Sequence, residues 1–217
     1  MQNLKNAVES VLSPLMSQSF DQDDIDQRVA ESAARERRIL AHKLMEKSNL
    51  PHRHRQPVEP RGEGWLSLLA RVEAKVHSGF IIALCGSRGT GKTQLAATIA
   101  KTYAGAGKAP LYATAMGFFL DIKESFEGKR SEKAVIDAYC GPSLLILDEL
   151  QERGETPWEN RLLTHLIDRR YGAMRDTLLI TNQNQTKFLD TIGNSVASRI
   201  VETGGVAFCD WPSYRTN

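Results

Sequence analysis

The stretch Phe80-Ile81-Ile82-Ala83-Leu84-Cys85-Gly86-Ser87-Arg88-Gly89-Thr90-Gly91-Lys92-Thr93 decides the fold. Its first six residues are an unbroken apolar run, the pattern of a strand buried on both faces. The next eight match G-x-x-x-x-G-K-[ST], and from Thr93 to Tyr103 the apolar residues recur with a helical period. Strand, glycine-rich turn and helix in this order are the context the motif requires. The glycines let the backbone curl so that successive N–H groups face a phosphate, and the helix that follows aims its positive end at the same point. Gly86, Ser87, Arg88, Gly89, Thr90, Gly91, Lys92 and Thr93 are therefore the candidate nucleotide-binding residues. Lys92 adds a positive charge for the terminal phosphates, and the Thr93 hydroxyl suits Mg²⁺.

Downstream, Leu144-Leu145-Ile146-Leu147-Asp148-Glu149 is a second buried strand ending in two carboxylates. In a parallel sheet that ending falls beside the phosphate loop, with Asp148 placed for the metal and Glu149 for orienting and deprotonating a water. A third apolar strand, Leu178-Leu179-Ile180-Thr181, ends at Asn182, which either hydrogen-bonds the water or γ-phosphate or simply makes the turn. Helical patterns lie between the strands: 65–76, 93–103, 117–126, 131–139 and 156–172, the last opened by the capping box Thr156-Pro157-Trp158-Glu159. Short strands are expected at 109–113 and 206–209. Buried strands alternating with helices predict an α/β fold, a parallel sheet with helices on both faces. Guanine-reading folds carry [NT]-K-x-D. Thr186-Lys187-Phe188-Leu189 has leucine where the aspartate is needed, which favours ATP.

Upstream the signals differ. Residues 4–16 show a helical face interrupted by Pro14, and a second helix is expected over 25–47. The basic residues Arg35, Arg37, Arg38, Lys43 and Lys47 on it form either a solvated face or a docking or DNA-facing surface. Three prolines and two glycines within 50–64 read as a linker. The expected domains are a helical module over 1–49, a linker over 50–64 and an ATPase domain over 65–217. His52 and His54 have no partner at metal-ligand spacing.

The chain has 217 residues, 41% of them hydrophobic, with 28 basic and 26 acidic side chains. That apolar share excludes a disordered chain, and the charge balance means that any nucleic-acid contact must be a local patch. No apolar run is long enough to span a membrane, and Met1-Gln2-Asn3-Leu4-Lys5 lacks a secretory core. Cys85, Cys140 and Cys209 have no metal-type spacing and suit a reducing cytoplasm as small apolar residues.

Phosphate loop, Leu-Asp-Glu strand end, Thr-Asn strand tip, Asp168-Arg169-Arg170-Tyr171, Ser198-Arg199 and the ending Trp211-Pro212-Ser213-Tyr214-Arg215 together resemble the AAA+ ATPases of the DnaC-type replicative helicase loaders. IstB-like transposition ATPases are close behind. The likeness covers roughly residues 50–215. It implies an AAA+ P-loop NTPase without a C-terminal lid, an Arg199 that reaches a neighbouring subunit's ATP, and an Arg215 that senses the nucleotide in its own site. It also implies a single-stranded DNA path along the segment 117–130, where Lys123, Lys129 and Arg130 face phosphates and Phe126 stacks on a base. Phe118 and Phe119 read rather as core. The N-terminal module has no cysteine-rich zinc element; on the family plan it docks the helicase. The activity implied is ATP-driven delivery of a replicative helicase onto single-stranded DNA, slow until copies assemble. Three other readings stay open: an IstB-like helper acting with a transposase on duplex DNA, a P-loop kinase acting as a monomer, and a nucleotide-gated scaffold without turnover.

Overall fold

The computed structural model describes residues 22–56, 62–128 and 130–214. The expected helix over 4–16, Lys129 and Arg215 lie outside the described residues. The chain divides into two compact units between Ile39 and Leu40. In the first, the described part is helical, and from Asp23 on its side chains, Arg35, Arg37 and Arg38 included, are exposed apart from Ala33.

In chain order the elements are α1 (Gln22–Glu46), α2 (His52–Arg55), α3 (Gly62–Glu73), β1 (Ile81–Cys85), α4 (Lys92–Gly105), β2 (Pro110–Thr114), α5 (Ala115–Ser125) and α6 (Glu132–Cys140). They continue with β3 (Leu144–Asp148), a 3₁₀ turn (Leu150–Glu152), α7 (Pro157–Gly172), β4 (Asp176–Ile180), α8 (Gln185–Ile192), α9 (Asn194–Thr203) and β5 (Gly205–Phe208). The five strands form one parallel sheet in the order β2-β3-β4-β1-β5.

Each of β1, β3 and β4 is buried along its whole length, so its sequence shows no alternation. The alternation exists in space instead. Ile81, Ala83, Cys85, Leu145, Leu147 and Leu179 join one core with Phe118, Phe119, Leu163, Leu166 and Val196. Ile82, Leu84, Leu144, Ile146, Leu178 and Ile180 join the other with Trp65, Leu95, Ile99 and Tyr103. Complete burial of a side chain such as Leu or Ile contributes about 1.5–3 kcal/mol, so the two sandwiched layers fix the strand register.

Two polar devices tie the helices to the sheet's amino edge. The buried Asp176 carboxylate accepts the N–H groups of His77, Gly79 and Phe80 and the hydroxyl of Tyr103. Fully buried Arg170 donates to the carbonyls of Tyr139, Cys140, Pro142 and Asp176 and to Thr177 Oγ1, at 2.6–3.2 Å. Burial pulls the Arg170 guanidinium down to about 10, and the ring of acceptors keeps it ionised. The capping box of α7 is present as expected: Thr156 Oγ1 accepts Glu159 N at 3.2 Å and the Glu159 carboxylate accepts Thr156 N at 3.1 Å.

The structure differs from the sequence reading in three places. Residues 52–55 form a short helix, and Leu50 is buried in the core. The next helix begins at Gly62 rather than Trp65, glycines having masked its first turn. Two helices occupy 185–203, where none was expected; Asn184 caps the first by accepting Lys187 N. Thr186, Lys187 and Phe188 thus sit on α8, with Phe188 buried.

Candidate functional site

The sheet order places the carboxyl ends of β3, β4 and β1 side by side, and a cleft of about 620 Å³ opens there. The loop after β1 curls through positive φ at Gly86, Gly89 and Gly91. At Gly86 a Cβ would lie 2.4 Å from the Cys209 carbonyl oxygen, so glycine alone fits. Lys92 is buried and its ammonium donates to the carbonyls of Gly86 at 2.6 Å and Ser87 at 2.7 Å. Its charge is thereby held inside the loop, where a phosphate tail would lie. Arg88 reaches across the mouth to Glu152, 3.1 Å away.

Thr93, in the first turn of α4, donates from Oγ1 to Asp148 Oδ2 at 2.7 Å. The buried Asp148 carboxylate also accepts the Tyr112 hydroxyl at 3.2 Å and the Glu149 N–H at 2.7 Å. Burial, then the charge of Asp148, pushes the Tyr112 phenol upward, so it stays a donor. Glu149 is exposed, lines the cleft and sits at φ 56°, a left-handed conformation that costs a non-glycine residue about 1–3 kcal/mol. Asn182 also lines the cleft, its N–H held by Gln151 Oε1 at 2.9 Å.

Thr93 Oγ1 and Asp148 Oδ2 are adjacent hard oxygens beside the cleft. They suit Mg²⁺, which takes one or two protein oxygens and completes its shell with water and phosphate. Among the described residues no cluster of three His, Cys, Asp or Glu side chains could hold a metal without such help.

Several cleft residues escaped the sequence reading: Arg53, His54, Trp65, Gln94 and Tyr214. His54 Nδ1 lies 3.0 Å from Gln94 Oε1, which pins α2 against α4. The His-Arg pair looked like linker, and only the interruption by Pro51 and Pro57 hinted at a short element.

Arg199 stands apart from the cleft, on α9. Its Nη1 donates to the Ser195 carbonyl at 2.8 Å, its Nη2 lies 3.0 Å from Asp168 Oδ1, and the guanidinium covers the Tyr171 ring. The quartet 168–171 is thereby accounted for: Asp168 faces Arg199, Arg169 pairs with Asp137 at 2.6 Å, Arg170 fills the core and Tyr171 donates to Glu202 at 2.8 Å. In the segment 117–130, Phe118 and Phe119 are core, Phe126 is 62% exposed, and Lys123 and Arg130 are exposed, the Lys123 ammonium lying over Trp158. Cys85 and Cys209 are buried free thiols; Cys140, the last residue of α6, is half-buried. No helix among the described residues is long and apolar enough to cross a membrane.

Comparison with known proteins places this site in a family. The model of the IstB-like ATP binding protein family matches residues 16–202. YdaV of Escherichia coli K12, an uncharacterized protein, is 27% identical over 200 residues, 88% of this chain and 80% of YdaV. The replicative helicase loader DnaC of the same strain is 27% identical over 162 residues, 71% of this chain and 65% of DnaC. The match thus spans less than two thirds of the length of DnaC. A crystal structure of the DnaC helicase loader superposes with a TM-score of 0.63 at 21% identity, over 73% of this chain and 99% of that one. Its fold is the one described above, an AAA+ core with helices on both faces of a parallel sheet. With a family model covering most of its length and the phosphate loop in place, the chain belongs to the IstB-like ATP binding proteins, the DnaC/IstB-like AAA+ ATPases.

Proposed function

We propose that the chain is an ATP-dependent loader that docks a replicative DNA helicase and delivers it onto single-stranded DNA. The loop amides and Lys92 hold the triphosphate. Thr93 and Asp148 would hold Mg²⁺, which when bound supplies positive charge to the phosphate tail. Glu149 orients the attacking water and takes its proton, and Asn182 hydrogen-bonds the water or the γ-phosphate. Arg215 senses the nucleotide from the same chain. Lys123, Lys129 and Arg130 contact DNA phosphates, and Phe126 stacks on a base. The first ~49 residues dock the helicase.

The observation that carries this reading is the position of Arg199. It is held on α9 by Ser195 and Asp168 and does not line its own cleft. An arginine finger contributes about 10³–10⁵ in rate; on this reading Arg199 serves the cleft of a second copy, and hydrolysis follows assembly. A monomeric kinase has no use for that arrangement. Two measurements test the proposal. ATP turnover per chain should rise steeply with protein concentration, and Arg199→Ala should abolish the rise while ATP binding persists. A pull-down with the replicative helicase should succeed with ATP for the full chain and fail for a form starting at Leu40, which leaves the second compact unit whole. Concentration-independent turnover, or equal capture by both forms, overturns the corresponding assignment.

The name of the matching family favours a second reading, an IstB-like helper that acts with a transposase. Tighter binding to duplex than to single-stranded DNA would select it.

A further inference from the structure

Three consecutive carbonyls of the phosphate loop are held from outside the loop. Gly89 O accepts the Tyr214 N–H at 2.9 Å. Thr90 O accepts the Trp211 indole N–H at 2.8 Å. Gly91 O, which already accepts the helical Leu95 N–H, also accepts the Trp65 indole N–H at 3.3 Å. The donors come from two distant parts of the chain, the first turn of α3 and the segment after β5. That segment is itself tied down by Cys209 N on Cys85 O at 2.8 Å.

A trans peptide is planar, and its C=O and N–H point in opposite directions. Fixing the carbonyls of residues 89, 90 and 91 therefore also fixes the N–H groups of Thr90, Gly91 and Lys92, each on the opposite side of its peptide plane. The glycines on this surface fit the arrangement. A Cβ at Gly91 would lie 3.2 Å from the Trp65 Nε1 and 3.4 Å from the Tyr214 ring. A Cβ at Gly64 would lie 3.0 Å from the Trp211 ring. Both absences of a side chain let the indoles come within hydrogen-bonding range.

We propose that Trp65 and Trp211, together with the Tyr214 backbone N–H, are positioning groups that aim the amides of the phosphate loop at the nucleotide's phosphate tail. Their hydrogen bonds run to the carbonyls of the loop. Their role is to hold three peptide planes in the binding orientation before ligand arrives, which removes an ordering cost from binding. A terminal segment more than a hundred residues away in sequence thereby becomes part of the nucleotide site.

This inference rests on the loop being a nucleotide site, and the test separates the two. Binding of ATP and of inorganic tripolyphosphate is measured by calorimetry for the full chain, for Trp211→Phe and for Trp65→Phe. Phenylalanine keeps an aromatic ring and removes the N–H donor. Each variant should bind both probes about three- to tenfold more weakly, the range of one neutral hydrogen bond. The fractional loss should be equal for the two probes, because only the phosphate cradle has changed. Unfolding of the nucleotide-free variants is followed in parallel, and a purely structural role would lower the melting temperature without a matched loss for both probes. If Trp211→Phe fails to fold, Trp65→Phe tests the same claim on the neighbouring carbonyl. If wild type binds neither probe, the site reading fails. If wild type binds and both variants bind equally well, the aiming role is overturned.

Discussion

Replacing Thr93 by valine removes one hydroxyl and almost no volume, so it isolates the contact between α4 and the end of β3. That hydroxyl donates to Asp148 Oδ2 at 2.7 Å, and Asp148 is 5% exposed. A hydrogen bond to a charged group contributes about 1.5–3 kcal/mol. Tyr112 and the Glu149 N–H still serve the carboxylate in the variant, which puts the expected loss at the lower end, about 1.5 kcal/mol. For a chain of this size that lowers the melting temperature by roughly 3–6 °C. The same hydroxyl is a proposed Mg²⁺ ligand, so a second loss should appear with ligand. At a hundredfold excess over Kd, MgATP should raise wild-type stability by about 2.7 kcal/mol. In Thr93→Val the gain should shrink to that seen for wild type with ATP and EDTA. The assay is urea unfolding followed by circular dichroism in three buffers: no nucleotide, MgATP, and ATP with EDTA. A variant that unfolds at the wild-type midpoint refutes the Asp148 contact, and one that keeps the whole MgATP gain refutes the metal assignment.

Gly86→Ala should abolish ATP binding, because its Cβ would sit 2.4 Å from the Cys209 carbonyl oxygen and force the loop or the segment after β5 to move; unchanged calorimetric affinity would contradict this. Phe126→Ala, at a 62% exposed position, should leave the melting temperature alone and weaken single-stranded DNA binding by about 1–3 kcal/mol, read by fluorescence anisotropy. Burial first, and then the neighbouring Cys209, pushes the Cys85 thiol up to about 12, and burial raises Cys209 to about 11. Iodoacetamide at pH 8 should therefore modify neither in the native state. Because the fold favours the neutral thiols, their contribution is whole below the ordinary value of 9.0 and drains as pH rises toward about 12. The urea midpoint should fall across that window, and a flat profile would show that the thiols are not the groups involved.

The strands and the phosphate loop were legible because burial on both faces writes itself as plain apolar runs, and Gly86 to Thr93 is a local motif. Thr156 and Glu159 were legible for the same reason, since a capping box is complete within four residues. What escaped was set by distance in sequence. Nothing near Trp211 says that its indole meets Thr90, and nothing near Gln151 says that it holds the Asn182 N–H. The helices over 185–203 escaped through mixed composition, with Gly193 at positive φ breaking the pattern between them. The expected linker escaped in part because Leu50 and the His54–Gln94 contact draw meaning only from α4, which lies forty residues on.

One detail at the sheet's border has a bearing on how copies of the chain can meet. β2 is an outermost strand, and midway along it Tyr112 N donates to Ser48 O at 2.7 Å. An open strand margin invites a foreign strand to zip onto it. Here the chain's own backbone takes that donor, and β5 at the opposite margin is only four residues long. Should copies assemble as proposed, they would be steered away from continuous cross-chain sheets and toward contacts between side chains on helices and loops. Such joints can part and re-form without peeling apart any main-chain ladder.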